Sequence, residues 1–150
     1  MRTVIQRVTK ASVIVNHKVV ADIQSGLVIL LGIEREDTVE DIDWLCSKIS
    51  NLRIFSDEHG VMNLSIKDIQ GEIIVVSQFT LFASTKKGNR PSYIKAAVPS
   101  IAIPLYEKFL ISLQKTVTSS IQTGVFGSHM MLEIVNEGPV TILIDSKNKE

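Results

Sequence analysis

The sequence predicts an α+β domain, with two helices against a mostly antiparallel sheet. Three observations lead there. Short runs rich in Val and Ile recur along the chain, set apart by Asn, Gly and Pro, and β-branched residues suit a pleated surface better than a helix. Two stretches, one after Thr38 and one after Ser100, instead repeat apolar residues three and four apart, the spacing of a helix with one buried face. The resulting order, roughly β-β-β-β, α, β-β, α, β-β, groups strands with strands and favours antiparallel pairing. At 150 residues, with no linker, low-complexity tract or repeat, the chain is expected to be one domain over 1–150 with a core of its own.

Along the chain, Thr3–Val8 alternates Val4, Gln6 and Val8 against Ile5 and Arg7, which reads as a strand. Ala11–Val15 and Lys18–Ile23 flank Asn16-His17, the pattern of a hairpin. Gly26 precedes Leu27–Leu31, an apolar run expected to be a buried strand. In the acidic stretch Glu34–Asp43, Thr38 with Asp41 three residues on fits a helix N-cap followed by a carboxylate in the first turn. Val39, Ile42, Leu45, Cys46, Ile49 and Leu52 then follow helical spacing, and the acidic residues are expected on the solvated face. Leu52–Phe55 reads as a short strand, Asp57-Glu58-His59-Gly60 as a turn, and Glu72–Leu81 as a strand built on Ile73-Ile74-Val75-Val76. Ala83–Ser100, with Gly88, Pro91 and Pro99, is a long loop of the kind that carries function or is disordered. Ser100 is expected to cap a helix with Pro104 in its first turn and Leu105, Phe109, Leu113 and Val117 on one face. Met131–Val135 and Val140–Ile144 are strands joined by Asn136-Glu137-Gly138-Pro139.

Composition narrows the function. Sixteen Lys and Arg balance sixteen Asp and Glu, for a net charge of zero. This excludes a strongly basic nucleic-acid coat protein but leaves room for a local RNA contact of modest salt dependence. The single cysteine, Cys46, excludes an intrachain disulfide and a Cys-rich zinc site. Arg7 and Lys10 interrupt the N-terminus before any signal-peptide core forms, and the longest apolar run is Leu27–Ile33, against the ~20 residues of a membrane helix. A soluble, cytoplasmic protein is expected. The histidines His17, His59 and His129 fall in or near predicted turns, and HExxH, Walker and GxSxG patterns are missing. No metal-ligand cluster is visible, so neither a metal nor a cofactor is expected. Cys46, on the apolar face of a helix, reads as a small core residue rather than a nucleophile.

Three segments carry chemistry. Ser77-Gln78-Phe79-Thr80-Leu81 closes an apolar strand, where hydroxyls, an amide and free backbone N–H groups can hold a carbonyl or a nucleobase. On pattern alone the same residues are an alternating strand with Phe79 in the core. Lys86-Lys87-Gly88-Asn89-Arg90-Pro91-Ser92-Tyr93 combines three cations, a flexible glycine and an aromatic, which suits phosphate and sugar, or is a solvated basic loop. Asn136-Glu137-Gly138-Pro139-Val140-Thr141 is ordinarily a turn; a cis Gly-Pro would turn the carbonyls of Glu137 and Gly138 into unusual positions. Phe126 and Met130 suit either the core or an apolar wall for a flat ring.

Ser77-Gln78-Phe79-Thr80, Gly88-Asn89-Arg90-Pro91-Ser92 and Asn136-Glu137-Gly138-Pro139-Val140-Thr141 occur in the order seen in D-aminoacyl-tRNA deacylases. Gln6-Arg7-Val8 with Ala11-Ser12-Val13, and Gly124-Val125-Phe126-Gly127, fit as well, so the sequence resembles that family from Met1 to about Asp145. The resemblance implies an enzyme that hydrolyses the ester between a D-amino acid and the 3′ end of tRNA, and that also clears mischarged glycine. It implies a compact, barrel-like α/β domain working as a homodimer with its active site at the subunit interface. It makes Ser77, Gln78, Phe79 and Thr80 the catalytic segment, and Gly138 and Pro139, in cis, a chiral filter reaching into the partner's pocket. Phe126 and Met130 would enclose the terminal adenosine, Arg7 would serve the substrate site by supporting the cross-subunit element, and Lys86, Lys87 and Arg90 would touch tRNA. Glu137 stands where many members carry Asp.

An aminoacyl ester is already activated, so placing water and stabilising the oxyanion can carry much of the rate. The N–H groups of Phe79 and Thr80 are the candidates for that hole. The ribose 2′-hydroxyl is the group the family is thought to use on the water. A nucleophilic Thr80 is disfavoured, because no base is visible beside it. Two other classes remain open: a non-catalytic module that binds the tRNA 3′ end, and a His- or Thr-dependent esterase for small molecules.

Overall fold

The computed structural model describes residues 1–149. Its longest strands run side by side: β1 (Arg2–Val15) and an antiparallel partner over Met131–Asp145. The other edge of β1 is shared. Arg2–Val8 pairs with β3 (Gly26–Gly32), and Ala11–Val15 pairs with β2 (Lys18–Ile23) across the Asn16-His17 turn, where both residues have positive φ. The expected first strand and first hairpin arm are therefore one strand. At its middle, Thr9 and Lys10 are exposed and the pairing with the last strand shifts register. This changes which side of β1 faces inward: Ile5 packs with the helices, whereas Ala11 and Val13 pack in a second cluster on the opposite side of the sheet.

After β3 the chain forms α1 (Val39–Asn51) and then a two-stranded ribbon, β4 (Phe55–Ser56) with β5 (Met62–Leu64), before β6 (Glu72–Ser77) enters beside β3. β6 is parallel to β3 and to β7 (Ile121–Thr123), a short strand the sequence pattern did not announce. The sheet is thus mixed rather than simply antiparallel. The cause is burial on both faces. Leu27, Ile29, Leu31, Ile73 and Val75 meet the helices, and Val28, Ile74 and Val76 fill the other side, as befits parallel strands with a helical crossover. The Gln122 side chain of β7 bonds the main chain of Asp22 in β2 through both its oxygen (2.8 Å) and its nitrogen (2.6 Å), so β3, β6, β7, β2 and β1 form a nearly closed barrel.

The helices lie outside that barrel. α1 begins as expected at Thr38, whose N–H and hydroxyl donate to Asp41 at 2.8 and 3.2 Å. Ile42, Leu45, Cys46 and Ile49 are buried against α2 (Pro99–Gln114), chiefly near Tyr106, Phe109 and Leu113. α2 starts earlier than expected: Val98 is its N-cap and Pro99 its first residue, so Ser100 lies inside and Pro104 falls beyond the first turn on an exposed face.

Three further expectations change. Asp37 and Asp41 are not solvated but buried: the α-amino group of Met1 pairs with Asp37, and Asp41 accepts from Ser146 and Lys147, both at 2.7 Å. The Glu72–Leu81 strand stops at Ser77 and tightens into a 3-10 turn over Phe79–Phe82. The closing strand, β8 (Met131–Asp145), is continuous, so residues 136–139 do not turn a hairpin. Between the Gln6–Thr141 and Val8–Asn136 pairs, residues 137–140 of β8 stand opposite Arg7 alone and loop out of the ladder. Among the described residues no helix is long and apolar enough to cross a membrane.

Candidate active site

The open end of the barrel holds a cleft of about 620 Å³. Its floor comes from the place where β6 gives out. Ser77 is the last ladder residue, opposite Leu31, and the Gln78 N–H still reaches the Leu31 carbonyl at 2.8 Å. The chain then tightens, pinned by Phe82, which is buried and carries the Arg2 guanidinium 4.7 Å above its ring. In that 3-10 turn the first internal bond runs from Leu81 N–H to the Gln78 carbonyl at 3.2 Å. The N–H groups of Phe79 and Thr80 precede it and have no acceptor within the turn. The Gln78 side-chain nitrogen donates to the Thr80 hydroxyl oxygen, which fixes both side chains.

The opposite wall follows β7. Gly124 N–H bonds the Val75 carbonyl at 3.2 Å, and the Met130 sulfur packs against the Gly124 backbone in the space a Cβ would crowd, which lets the segment fold back over itself. Phe126 rests on Tyr106, with ring centroids 5.5 Å apart at 65°. The buried Tyr106 hydroxyl donates to the Val75 carbonyl at 2.9 Å, and burial pushes that phenol up to about 12, keeping it a neutral donor. The third side is the long loop. Ser84 and Ser92 exchange backbone bonds of 2.8 and 2.9 Å, and Tyr93 then meets Phe79 edge to face at 5.0 Å and 74°. Val98 and Pro99 complete the rim.

The structure therefore brings Ser77, Gln78 and Phe79 together with Phe126 and Met130 around one cleft. Phe79 is 57% exposed, which removes the alternative of a core residue. Thr80 stands one residue beyond the lining. Lys86, Lys87 and Arg90 lie exposed on the loop tip between the two bonded serines. Arg7, Gly138 and Pro139 do not line this cleft. Arg7 is buried, donates to the Ile54 carbonyl at 2.5 Å and has its Nε 3.5 Å from Glu137. Its Nη2 would lie 3.1 Å from a Cβ on Gly138, and Gly138 has φ +114 with a cis bond to Pro139.

Two lining residues, Ser128 and His129, were not singled out by sequence. Their only signal was position between Phe126 and Met130, since an isolated histidine in a turn carries no pattern. Among the described residues no carboxylate, lysine or arginine lines the cleft. What the arrangement offers is an aromatic and thioether wall for a flat ring, two main-chain donors for a carbonyl oxygen, and little charge. Cys46 takes no part: burial, with Asp43 nearby, pushes its thiol up to about 12.

The sequence profile of the D-Tyr-tRNA(Tyr) deacylase family matches residues 4–145. A protein of Flavobacterium psychrophilum named D-aminoacyl-tRNA deacylase is 64% identical over 150 residues, covering all of both chains. One of the same name from Bacteroides fragilis is 61% identical, again over the full length of both. Among solved structures, c-Myc DNA Unwinding Element Binding Protein superposes with a TM-score of 0.92 at 43% identity, over 97% of this chain and 98% of that one. A probable eukaryotic D-amino acid tRNA deacylase superposes at 0.80 with 17% identity, over 95% and 97%, a likeness of fold.

Proposed function

The chain belongs to the D-Tyr-tRNA(Tyr) deacylase family, and we propose that it divides its task between a cleft that performs the hydrolysis and a main-chain element that selects the substrate. The enzyme is a D-aminoacyl-tRNA deacylase, a hydrolase of ester bonds. The whole chain, residues 1–150, acts as one deacylase domain. The terminal adenosine lies against Phe126 and Met130, and the ester carbonyl points at the N–H groups of Phe79 and Thr80. Water adds to the carbonyl carbon and the carbonyl oxygen takes the negative charge. Collapse then expels the ribose oxygen, which takes up the proton that the attacking water gives up. A donor aimed at such an oxyanion is worth roughly 10²–10³ in rate. The substrate's own 2′-hydroxyl orients the water, which answers the need for a base in a cleft with no carboxylate. Thr80 is not the nucleophile: its hydroxyl oxygen already accepts from Gln78, and a threonine needs an adjacent base to attack.

Selection falls to Gly138-Pro139. In its own chain this element lies off the cleft, on β8, whose Met131, Val135 and Leu143 leave 59%, 56% and 69% of their surface exposed. A second copy docked along β8 covers these side chains and carries Gly138-Pro139 to the neighbouring cleft, making a homodimer with shared sites. There the main chain fills the space an L side chain needs, and the Gly138 carbonyl accepts from the substrate ammonium. Arg7 supports that element rather than touching the adenosine. Lys86, Lys87 and Arg90 hold tRNA phosphates. A filter that excludes side chains without gripping them admits many D-amino acids and glycine, so mischarged glycyl-tRNA is also a substrate. An enzyme acting on aminoacyl-tRNA in translation proofreading works in the cytoplasm, which is the location this reading gives it.

The observation that carries this reading is the pair of unbonded N–H groups at Phe79 and Thr80 on the edge of an aromatic cleft. Purified protein incubated with D-Tyr-tRNA and L-Tyr-tRNA should release only the D-amino acid. A mere tRNA-end binder would protect both esters. Val135→Asp with Leu143→Asp should give a monomer by sedimentation that has lost stereoselective hydrolysis; a monomer both fully active and selective would refute the shared site.

A further inference from the structure

Phe79 and Tyr93 stand at the mouth of the cleft with 57% and 38% of their surface exposed. Their edge-to-face contact, 5.0 Å between centroids at 74°, engages the face of only one ring, so the pair keeps open ring surface. The backbone beneath Tyr93 is fixed: Ser92 exchanges two bonds with Ser84, and the Ala96 N–H bonds the Tyr93 carbonyl at 3.0 Å. The platform is therefore ordered before anything binds, which lowers the entropic cost of using it.

On the far side of Ser92 lies the loop tip with Lys86, Lys87 and Arg90. All three are exposed, and among the described residues none pairs with a carboxylate. Cleft, aromatic pair and cationic tip thus follow one another across the surface. A cleft of about 620 Å³ is sized for one drug-like molecule, the class of a single aminoacyl nucleoside. A single-stranded RNA end that places its last nucleoside there must lead its next base out over the rim. Proteins hold such strands by stacking bases on aromatic rings beside cations.

Resting on the tRNA reading above, we infer that Tyr93, braced by its edge-to-face contact with Phe79, is a stacking platform for the unpaired nucleobase next to the terminal adenosine of the substrate. Tyr93 is a binding residue here and takes no part in the ester chemistry. One stacked base is worth about 1–3 kcal/mol, or about 5- to 150-fold in affinity.

Three substrates separate the possibilities: D-Tyr-tRNA, the same tRNA with an abasic penultimate nucleotide, and D-Tyr-adenosine, which lacks that nucleotide. With unaltered protein, the abasic substitution should raise KM by about 5- to 150-fold and leave kcat unchanged. Tyr93→Ala should do the same with intact tRNA, while on abasic tRNA and on D-Tyr-adenosine it should cost clearly less than it does on intact tRNA. Tyr93→Phe should behave as the unaltered protein does. An abasic tRNA used as well as the intact one overturns the inference without any variant having to fold. So does a Tyr93→Ala protein equally impaired on D-Tyr-adenosine, or one that differs only by dissociating into monomers. Kd values for the uncharged intact and abasic tRNAs keep this question apart from the enzyme reading. Were that reading wrong, no ester would be hydrolysed, and the platform would still show as the same ratio of Kd values.

Discussion

Gly138→Ala tests the selection element most directly. Gly138 has φ +114, a region side chains rarely enter, and an added Cβ would lie 2.9 Å from Val140 Cγ2, 3.1 Å from the Val140 nitrogen and 3.1 Å from Arg7 Nη2. None of these neighbours yields freely. The Val140 nitrogen is main chain, and Arg7 is buried and held at 2.5 Å by the Ile54 carbonyl. A strained residue of this kind costs about 1–3 kcal/mol, and the local escape is for the 137–140 loop to move away from Arg7. The strain falls in a segment already outside the β1–β8 ladder, so the fold should survive with a Tm lower by about 2–4 °C per kcal/mol. Selectivity should not survive. If the element leaves its place by the free energy of the strain, the ratio of D- to L-Tyr-tRNA hydrolysis falls by about 5- to 150-fold. The assay is the initial rate of deacylation on each stereoisomer, with Tm and sedimentation as controls for folding and assembly. A dimeric, folded Gly138→Ala protein with an unchanged D/L ratio would refute the filter. An equal fall on both stereoisomers would make Gly138 a general binding element instead.

Other outcomes follow from the same geometry. Thr80→Ala removes a hydroxyl that only accepts from Gln78 and leaves the Thr80 N–H in place, so kcat on D-Tyr-tRNA should stay within about tenfold, far from the loss expected of a nucleophile; abolished turnover in a folded, tRNA-binding variant would contradict this. Burial opposes ionisation of Asp41, but hydrogen bonds from Lys147, Ser146 and the Thr38 N–H outweigh it and hold the carboxyl well below the usual carboxylate range. A lowered folded pKa gives stability that is complete above about pH 4 and is lost as pH falls through the folded value. Urea unfolding of Asp41→Asn should therefore show a flatter acid limb below about pH 4 than the unaltered protein. With its thiol pushed up to about 12, Cys46 should resist a thiol reagent at neutral pH while the protein is folded and react once urea unfolds it.

Much of the fold was legible in local pattern. α1 announced itself through the period of Ile42, Leu45, Cys46 and Ile49 and through Thr38 with Asp41, because a cap and an amphipathic face are both short-range signals. Features set by distant partners were not legible. The exposed pair Thr9-Lys10 reads as a gap between two strands, whereas the neighbouring β8 makes it a bulge within one. Asp37 and Asp41 look like part of a solvated acidic face until the Met1 amine and the residues following β8 arrive to pair with them. In the site, Phe126 and Met130 are legible as a candidate wall, while Gln78–Leu81 reads as a continuation of the strand because only the end of the pairing with β3, after Leu31 opposite Ser77, stops it. His129 entered the lining purely through the fold-back over Gly124.

The same circumstance fits the proposed function to the described residues, among which no paired-carboxylate or histidine constellation lines the cleft. A substrate read by main chain needs main chain that is not already bonded, and buried backbone is almost always bonded. Free backbone beside a packed sheet therefore arises where a ladder fails or a helical turn begins. β6 fails at Ser77 and leaves the N–H groups of Phe79 and Thr80; β8 leaves the ladder opposite Arg7 and releases the carbonyl of Gly138. The long loop contributes rings and cations only because its ends are tied at Ser84 and Ser92. Each proposed element of catalysis and selection lies at such an interruption, and each is flanked by a residue that fastens it, Phe82 in one case and Arg7 in the other. A search for paired carboxylates or a histidine triad looks for chemistry held by side chains. On the proposed reading the side chains fasten and the backbone acts, so substitutions that change what fastens should alter selectivity more than those that remove any single hydroxyl.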